Sequence, residues 1–361
     1  MLLGAGGLLA FGAAGAGLAH RAEADAYRQY ADALRTALPQ PASAQSLVRY
    51  ASLAASGHNA QPWKFHLQEN AIAILPDFDR RTPVVDPDDH HLFVSLGCAL
   101  ENLSVAAAAS RMPGNAEIAP DPRDGVRFVF AAPAATDAIT EQLFAAIPRR
   151  QSSRTLYDGR PVDMPVLRKL MQVSQSPGAD LALLTGRSRI DPIRDLVISG
   201  NTAQMADTAF LRELKDWLRF SPGQAMARGD GLYAAASGTP ALPDWAGPIA
   251  FDLFFKAEAE NDKYARQMDS SAGVAVFSAE SEGPAGWIAV GRACQRFCLM
   301  ATALGLKLAF VNQPVERSEL RTALAAAAGI AGRRPDLVLR FGHGPALPYS
   351  PRRDAATIMI D

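Results

Sequence analysis

The chain has 361 residues, 36 Lys plus Arg against 37 Asp plus Glu for a formal charge of −1, 48% hydrophobic residues and 20% charged ones. This is the composition of an ordinary globular chain, long enough for two lobes or one large domain, and it excludes a disordered, collagen-like or polytopic membrane protein. Balanced charge gives no field that would gather polyanions, so nucleic acid is not an expected partner, and the three cysteines Cys98, Cys294 and Cys298 lack the spacing of a disulfide framework or a zinc ribbon.

In chain order the first feature is an apolar segment over residues 1–24, uncharged from Met1 to Ala19. It is about long enough to cross roughly 30 Å of hydrocarbon, but its Gly and Ala make it weakly hydrophobic, which fits export better than anchoring. Ala22-Glu23-Ala24 offers a small-x-small cleavage site, although the basic stretch that normally precedes an apolar leader is missing, as is the Arg-Arg pair of a twin-arginine signal. The expectation is an exported protein, periplasmic or membrane-anchored; a cytoplasmic chain with a fraying alanine-rich helix is the other reading.

Ala24 to Leu38 reads as a helix ended by Pro39-Gln40-Pro41. Ser43 to Ala55 reads as a second, with Ser43 as N-cap and Leu47, Val48 and Ala51 on one side. Trp63 to Leu67 and Ala71 to Leu75 form a hairpin around Glu69-Asn70, with Trp63 as a packed anchor. Leu92 to Ser110 is a long apolar helix and Val126 to Ala131 a strand. A helix over Pro165 to Ser174 and a strand over Ala179 to Thr185 follow, then one or two helices from Asp191 to Phe220. Ser221 to Pro248 is rich in Gly, Pro and Ala and least scaffold-like. Gly273 to Ala279, Leu308 to Val311 and Pro335 to Phe341 read as strands; Gly286 to Leu304 and Ser318 to Ala328 read as helices. The class is α+β.

A weak internal repeat runs through this order. Setting Gly97 on Gly291, an offset of 194, superposes small and apolar positions of the two long helices, and setting Leu47 on Leu167, an offset of 120, superposes the helices before them. Two alanine-rich amphipathic helices also match by composition alone; duplication is the favoured reading. It divides the chain into half one at 40–145 and half two at 146–361, with an insertion at about 195–269.

The most specific segment is Ser56-Gly57-His58-Asn59-Ala60-Gln61-Pro62-Trp63, a polar tight loop between a helix end and an aromatic strand. Its backbone N–H groups, hydroxyl and two carboxamides can read a flat heteroaromatic edge bearing donors and acceptors. It closely resembles the P-S-x-x-N-x-Q-P-W element of nitroreductase-like flavoproteins, with Ala55 in place of Pro. Arg150-Gln151-Ser152-Ser153-Arg154 is similar to that family's R-R-S-x-R element, and Pro351-Arg352-Arg353 falls where the family places its last basic residue. Two guanidinium groups and a hydroxyl converging on one place suit phosphate geometry. The two elements are split between the halves here, an arrangement that looks like the Acg-type branch of the nitroreductase superfamily.

The resemblance implies a nitroreductase-like fold in which the two half-domains form an intramolecular pseudo-dimer, with a monomer sufficient and the insertion as a lid. It implies FMN, with Arg150, Ser152, Arg154 and Arg352 or Arg353 on the phosphate, and Ser56, Gly57, Asn59 and Gln61 on the ring or ribityl chain. The chemistry would then sit on the flavin, with no catalytic side chain needed: NAD(P)H or another donor gives two electrons and a nitroaromatic, quinone or similar flat electrophile takes them in turn. A flavin-sequestering stress protein with a lidded site is the alternative. No G-x-S-x-G or H-E-x-x-H occurs. Asp88-Asp89-His90-His91 is read as a helix start and not as a metal site, Cys294 and Cys298 as core thiols, and Trp217, Trp245 and Phe251, Phe254 and Phe255 as either a ligand cover or a staple for the insertion.

Overall fold

Alternating apolar residues and tight polar turns build two sheets, antiparallel except at the β11 edge of the first, each carrying one long helix, and the two helices pack on each other. The computed structural model describes residues 21–360; the apolar segment read as a leader lies outside the described residues up to residue 20. Helices α1 (residues 21–33) and α2 (Ala44–Ala51) precede the hairpin β1 (Trp63–Gln68) and β2 (Ala71–Pro76), helix α3 (His90–Ala109), strands β3 (Gly114–Ile118) and β4 (Val126–Phe130), and α4 (Ala138–Ala146). Helix α5 (Met164–Val173) and strand β5 (Ala179–Thr185) lead into α6 (Arg187–Met205), α7 (Thr208–Trp217), β6 (Leu218–Arg219), α8 (Pro222–Arg228), β7 (Leu232–Tyr233), α9 (Gly247–Phe254) and α10 (Ala257–Asp269). The chain closes with β8 (Gly273–Ala279), α11 (Pro284–Ala303), β9 (Lys307–Phe310), α12 (Gln313–Glu316), α13 (Arg321–Ala328), β10 (Leu337–Gly342), α14 (Ala355–Ile358) and β11 (Met359–Ile360).

The first sheet has the order β11-β1-β2-β4-β3 and the second β5-β8-β10-β9. With β11 set aside, the two follow one path: a strand after a short helix, its antiparallel neighbour, a long helix, then two more strands of which the later sits inside. Helix α3 lies on the first sheet and α11 on the second, and one continuous apolar core joins them through Leu96, Leu100, Ile288, Phe297 and Leu299. A smaller core on the other face of the second sheet packs Val274, Val276 and Val338 against Ile193 and Val197 of α6 and Leu324 of α13. Helix α3 is apolar enough to cross a membrane by length and composition, but most of it is buried here as core.

Several boundaries differ from the sequence reading for identifiable reasons. Helix α2 is capped as expected, Ser43 and Ser46 exchanging side-chain and backbone hydrogen bonds, yet it ends at Ala51, so that the following carbonyls turn toward arginines described below. Helix α3 begins at His90 because the Asp86 carboxylate, not Asp88 or Asp89, accepts the N–H groups of His91 and Leu92 at 2.9 and 3.0 Å. Strand β3 and helix α4 have no clear period and were not legible. Between β5 and β8 the chain runs from Gly186 to Ala272, a path that contains the stretch read as an insertion at about 195–269, where β1 and β2 of the first sheet are joined by the Glu69-Asn70 turn alone. The carboxy-terminal residues return to the first sheet: β11 pairs in parallel with β1, Phe65 opposite Met359.

Candidate functional site

The polar loop after α2 takes a conformation that its residue types resist. His58, Asn59 and Gln61 all have positive φ, at 47°, 53° and 53°, where a Cβ is disfavoured. What holds them is tertiary. Asn59 donates through Nδ2 to the carbonyls of Gly231 and Pro351, both at 3.0 Å, and its Oδ1 accepts from Arg352 at 2.9 Å. Gln61 donates to the Gly229 carbonyl at 2.8 Å and accepts the Arg353 N–H at 3.0 Å. Both carboxamides thus tie the insertion and the carboxy-terminal segment to the loop. Ser56 Oγ accepts the Gln61 N–H at 3.1 Å, fixing the turn.

Beside the loop, arginines gather with no acid among them. A small cavity of ≈ 40 Å³ is lined by Arg35, Arg150, Arg154 and Arg352 together with Ser56, Asn59 and Ser152, and no carboxylate belongs to its wall among the described residues. The carbonyls freed at the end of α2 hold two of these cations: Arg352 donates to Ser52, Leu53 and Ala54 at 2.9–3.1 Å, and Arg150 to Leu53 at 3.1 Å. A helix C-terminus is the negative end of its dipole, so it suits guanidinium groups. Nε of Arg150 is buried without a partner, and the Arg154 guanidinium has no hydrogen-bond or ion-pair partner among the described residues. Burial pushes all four guanidinium pKa values down, and Arg150 and Arg35 push Arg352 further. Buried cations without counter-charge favour an anion between them. The orphaned Arg150 Nε and the unpaired Arg154 are the donor set that a phosphate monoester fits.

A larger cavity of ≈ 180 Å³ opens from the same place, sharing Ala55, Ser56, Arg154, Leu232 and Phe310 with the first. Ser56, Gly57 and His58 form one wall, and a Cβ built on Gly57 meets only His91 Cβ at 3.8 Å, so the backbone faces open space there. The lining also includes Gln204, Phe210, Leu214, Phe255 and Tyr264, from the helical stretch between β5 and β8. Among the described residues Glu316 is the only carboxyl on the larger wall; Gln204 donates to it at 2.5 Å, and burial raises it to about 7. Burial, with the Arg154 charge adding, pushes His58 down to about 4, so it is neutral at pH 7.

The structure therefore brings Arg150, Ser152, Arg154, Arg352, Ser56, Gly57 and Asn59 to one connected space. It does not bring Gln61, whose carboxamide is fully used elsewhere, or Arg353, which turns to Asp77 at 3.6 Å. Asn59 reaches the wall, but its side chain positions Arg352. Asp86, His90 and His91 place ligand-type atoms within 4.8 Å of one another; both Asp86 oxygens are taken by backbone N–H groups, and His90 Nε2 lies 3.2 Å from Asp336. Asp88 pairs with Arg334 and Asp89 with Arg81. Cys294 and Cys298 are buried core thiols. Of the aromatic residues in the insertion, Phe255 lines the cavity and stacks on Phe251 at 4.5 Å, while Trp245 and Phe254 are exposed, and Trp217 lies under Arg80. Sequence reasoning missed Arg35, Tyr264 and Glu316. His58 sat inside the loop motif, and that position was its signal in the sequence; the others have no local signature.

No protein-family model matches the chain. It is 27% identical over 348 residues, 91% of this chain and 94% of the relative, to a Mycobacterium tuberculosis protein named "Putative NAD(P)H nitroreductase Rv3131". It is 25% identical over 325 residues, 86% of this chain and 92% of the relative, to another from that organism, "Putative NAD(P)H nitroreductase acg". Among solved structures it is similar to a nitroreductase with bound FMN from Desulfitobacterium hafniense, at 15% identity and TM-score 0.37 over 59% of this chain and 95% of that one. It is also similar to the FMN-dependent nitroreductase NfnB of Mycobacterium smegmatis in complex with NADPH, at 13% and 0.36 over 61% and 91%.

Proposed function

We infer, from homology along nearly the whole chain to the proteins named NAD(P)H nitroreductase, Acg among them, that this protein is an oxidoreductase of the nitroreductase type that works with FMN. The observation that carries the cofactor is the carboxylate-free cluster of Arg150, Arg154 and Arg352 opening onto a larger cavity. Arg150, Arg154 and Ser152 would hold the phosphate, with Arg352, whose N–H groups are taken by protein acceptors, adding its charge, and the Ser56–Gly57 backbone would present donors and acceptors to the ring. Bound there, FMN supplies two-electron chemistry, from NAD(P)H to a flat acceptor such as a nitroaromatic or a quinone. The chain's own part is to bind, orient and exclude water: Phe210, Leu214 and Phe255 make an apolar part of the cavity wall.

That wall also supports the second reading, a flavin-holding protein whose insertion covers the site. One measurement separates the two. Protein loaded with FMN and freed of excess should keep the flavin absorbance, and NADPH added without oxygen should bleach it; retained colour that NADPH leaves unchanged means a holder.

We also read the chain as an internal pseudo-dimer, with half one at 40–145 and half two at 146–361, sufficient as a monomer. The matching strand order of the two sheets supports this. Export of the chain is likewise our proposal, tested by locating it in fractionated cells.

A further inference from the structure

Helix α1 and Arg35 belong to neither sheet-and-helix unit, and no motif of the sequence points to them. We propose that they complete the phosphate site: Arg35 is a fourth guanidinium on the phosphate monoester, and it makes the protein select phosphorylated over unphosphorylated flavin. This rests on the FMN reading above.

Arg35 lines the small cavity beside Arg150, Arg154 and Arg352. Its NH1 donates to the Ala31 carbonyl at 2.7 Å and its NH2 to the Ser350 carbonyl at 3.3 Å, and its plane covers the Tyr349 ring at 4.0 Å. No carboxylate pairs with it among the described residues, although burial and the Arg150 charge lower its pKa to about 10, which leaves it a cation at neutral pH. Carbonyl oxygens and an aromatic face orient a guanidinium without neutralising it.

The helix is built to present that group. Tyr27 donates to the Tyr349 carbonyl at 2.6 Å, and Tyr30 donates to the Arg352 carbonyl and accepts the Arg352 N–H. Arg49 of α2 donates to the carbonyls of Leu34 and Thr36 at 3.0 and 2.7 Å, bracketing Arg35. So α1 pins the segment that carries Arg352, and the turn that follows it delivers the Arg35 cation. A phosphate entering there would meet Arg35 from the turn after α1 and the free donors of Arg150 and Arg154 from the segment after α4, with the charge of Arg352 behind them.

The test is binding of FMN and of riboflavin, followed by quenching of flavin fluorescence, in the full chain and in Arg35→Ala. Losing one charged donor to phosphate should weaken FMN by about tenfold or more. Riboflavin, which has no phosphate, should bind both proteins alike, and inorganic phosphate should compete with FMN better in the wild type. Arg35→Met, which keeps the packing on Tyr349, repeats the measurement if the alanine variant does not fold. Equal weakening of FMN and riboflavin would make Arg35 a structural prop, and unchanged FMN binding would remove it from the site; either overturns the inference while leaving the flavin reading intact. A wild type that binds neither flavin overturns both.

Discussion

Gly97 of α3 and Gly291 of α11 meet at the crossing of the two long helices, and their surroundings are reciprocal. A Cβ on Gly97 would stand 2.1 Å from the Ile288 carbonyl oxygen, and one on Gly291 would stand 2.0 Å from that of Val94. Val94 and Ile288 are related by the same 194-residue offset as the two glycines. The helices approach backbone to backbone here, which only glycine permits. Nearby, Glu101 accepts from Arg292 and Arg296, and Gln295 donates to Asn102 at 2.7 Å, so the crossing is also held by buried polar contacts.

Gly97→Ala and Gly291→Ala should therefore each destabilise the protein by about 3 kcal/mol, the upper end of overpacking costs, because the clashing atom is a carbonyl with no rotamer to escape into. Chemical denaturation measures it. Gly332→Ala, where nothing lies within 4 Å but φ is 86°, should cost about 1 kcal/mol from backbone strain alone.

Arg154 and Asn59 are expected to behave in opposite ways. Arg154→Ala removes a cation without a protein partner, so the flavin-free protein should keep its stability or gain up to about 1 kcal/mol, while FMN should bind about a hundredfold more weakly.

Asn59→Ala removes one acceptor from Arg352 and one donor from each of the Gly231 and Pro351 carbonyls, all in buried surroundings. It should cost the flavin-free protein about 2 kcal/mol. Thermal unfolding of the two variants side by side checks the contrast.

Glu316 gives a pH dependence. Burial raises its folded pKa to about 7 from 4.5, so the folded state holds the proton more tightly. Its contribution is fully present below the unfolded pKa and is lost as pH rises through 7. Glu316→Gln should gain stability relative to the wild type between pH 4.5 and pH 7 and hold that gain above, with unfolding free energies at several pH values as the measurement. His58, pushed down to about 4, slopes the other way in both proteins: its contribution is present above 6.5 and lost on acidification.

How much of this could be read from the chain follows the range of the forces involved. The loop Ser56–Trp63 and the arginine element Arg150–Arg154 were legible because they concentrate unusual residue types within a few positions. The long helices matched through small residues that turn out to touch, Gly97 on Gly291. Gln61 and Arg353 were assigned to the ligand because their chemistry fits one; their hydrogen bonds to each other's segments form only when residues 292 apart meet. Arg35 has no local signature, since its role depends on Tyr349 and Ser350 at the far end of the chain. Strand β3, Gly114–Ile118, alternates too weakly to be recognised and is specified by its pairing with β4.

The most direct measurement is the visible spectrum of the full chain loaded with FMN and passed through a desalting column, alongside Arg150→Ala and Arg154→Ala. If a phosphate sits among these arginines, the wild type keeps one flavin per chain and both variants emerge colourless. A colourless wild type, or variants that retain flavin as fully as it does, would contradict the account.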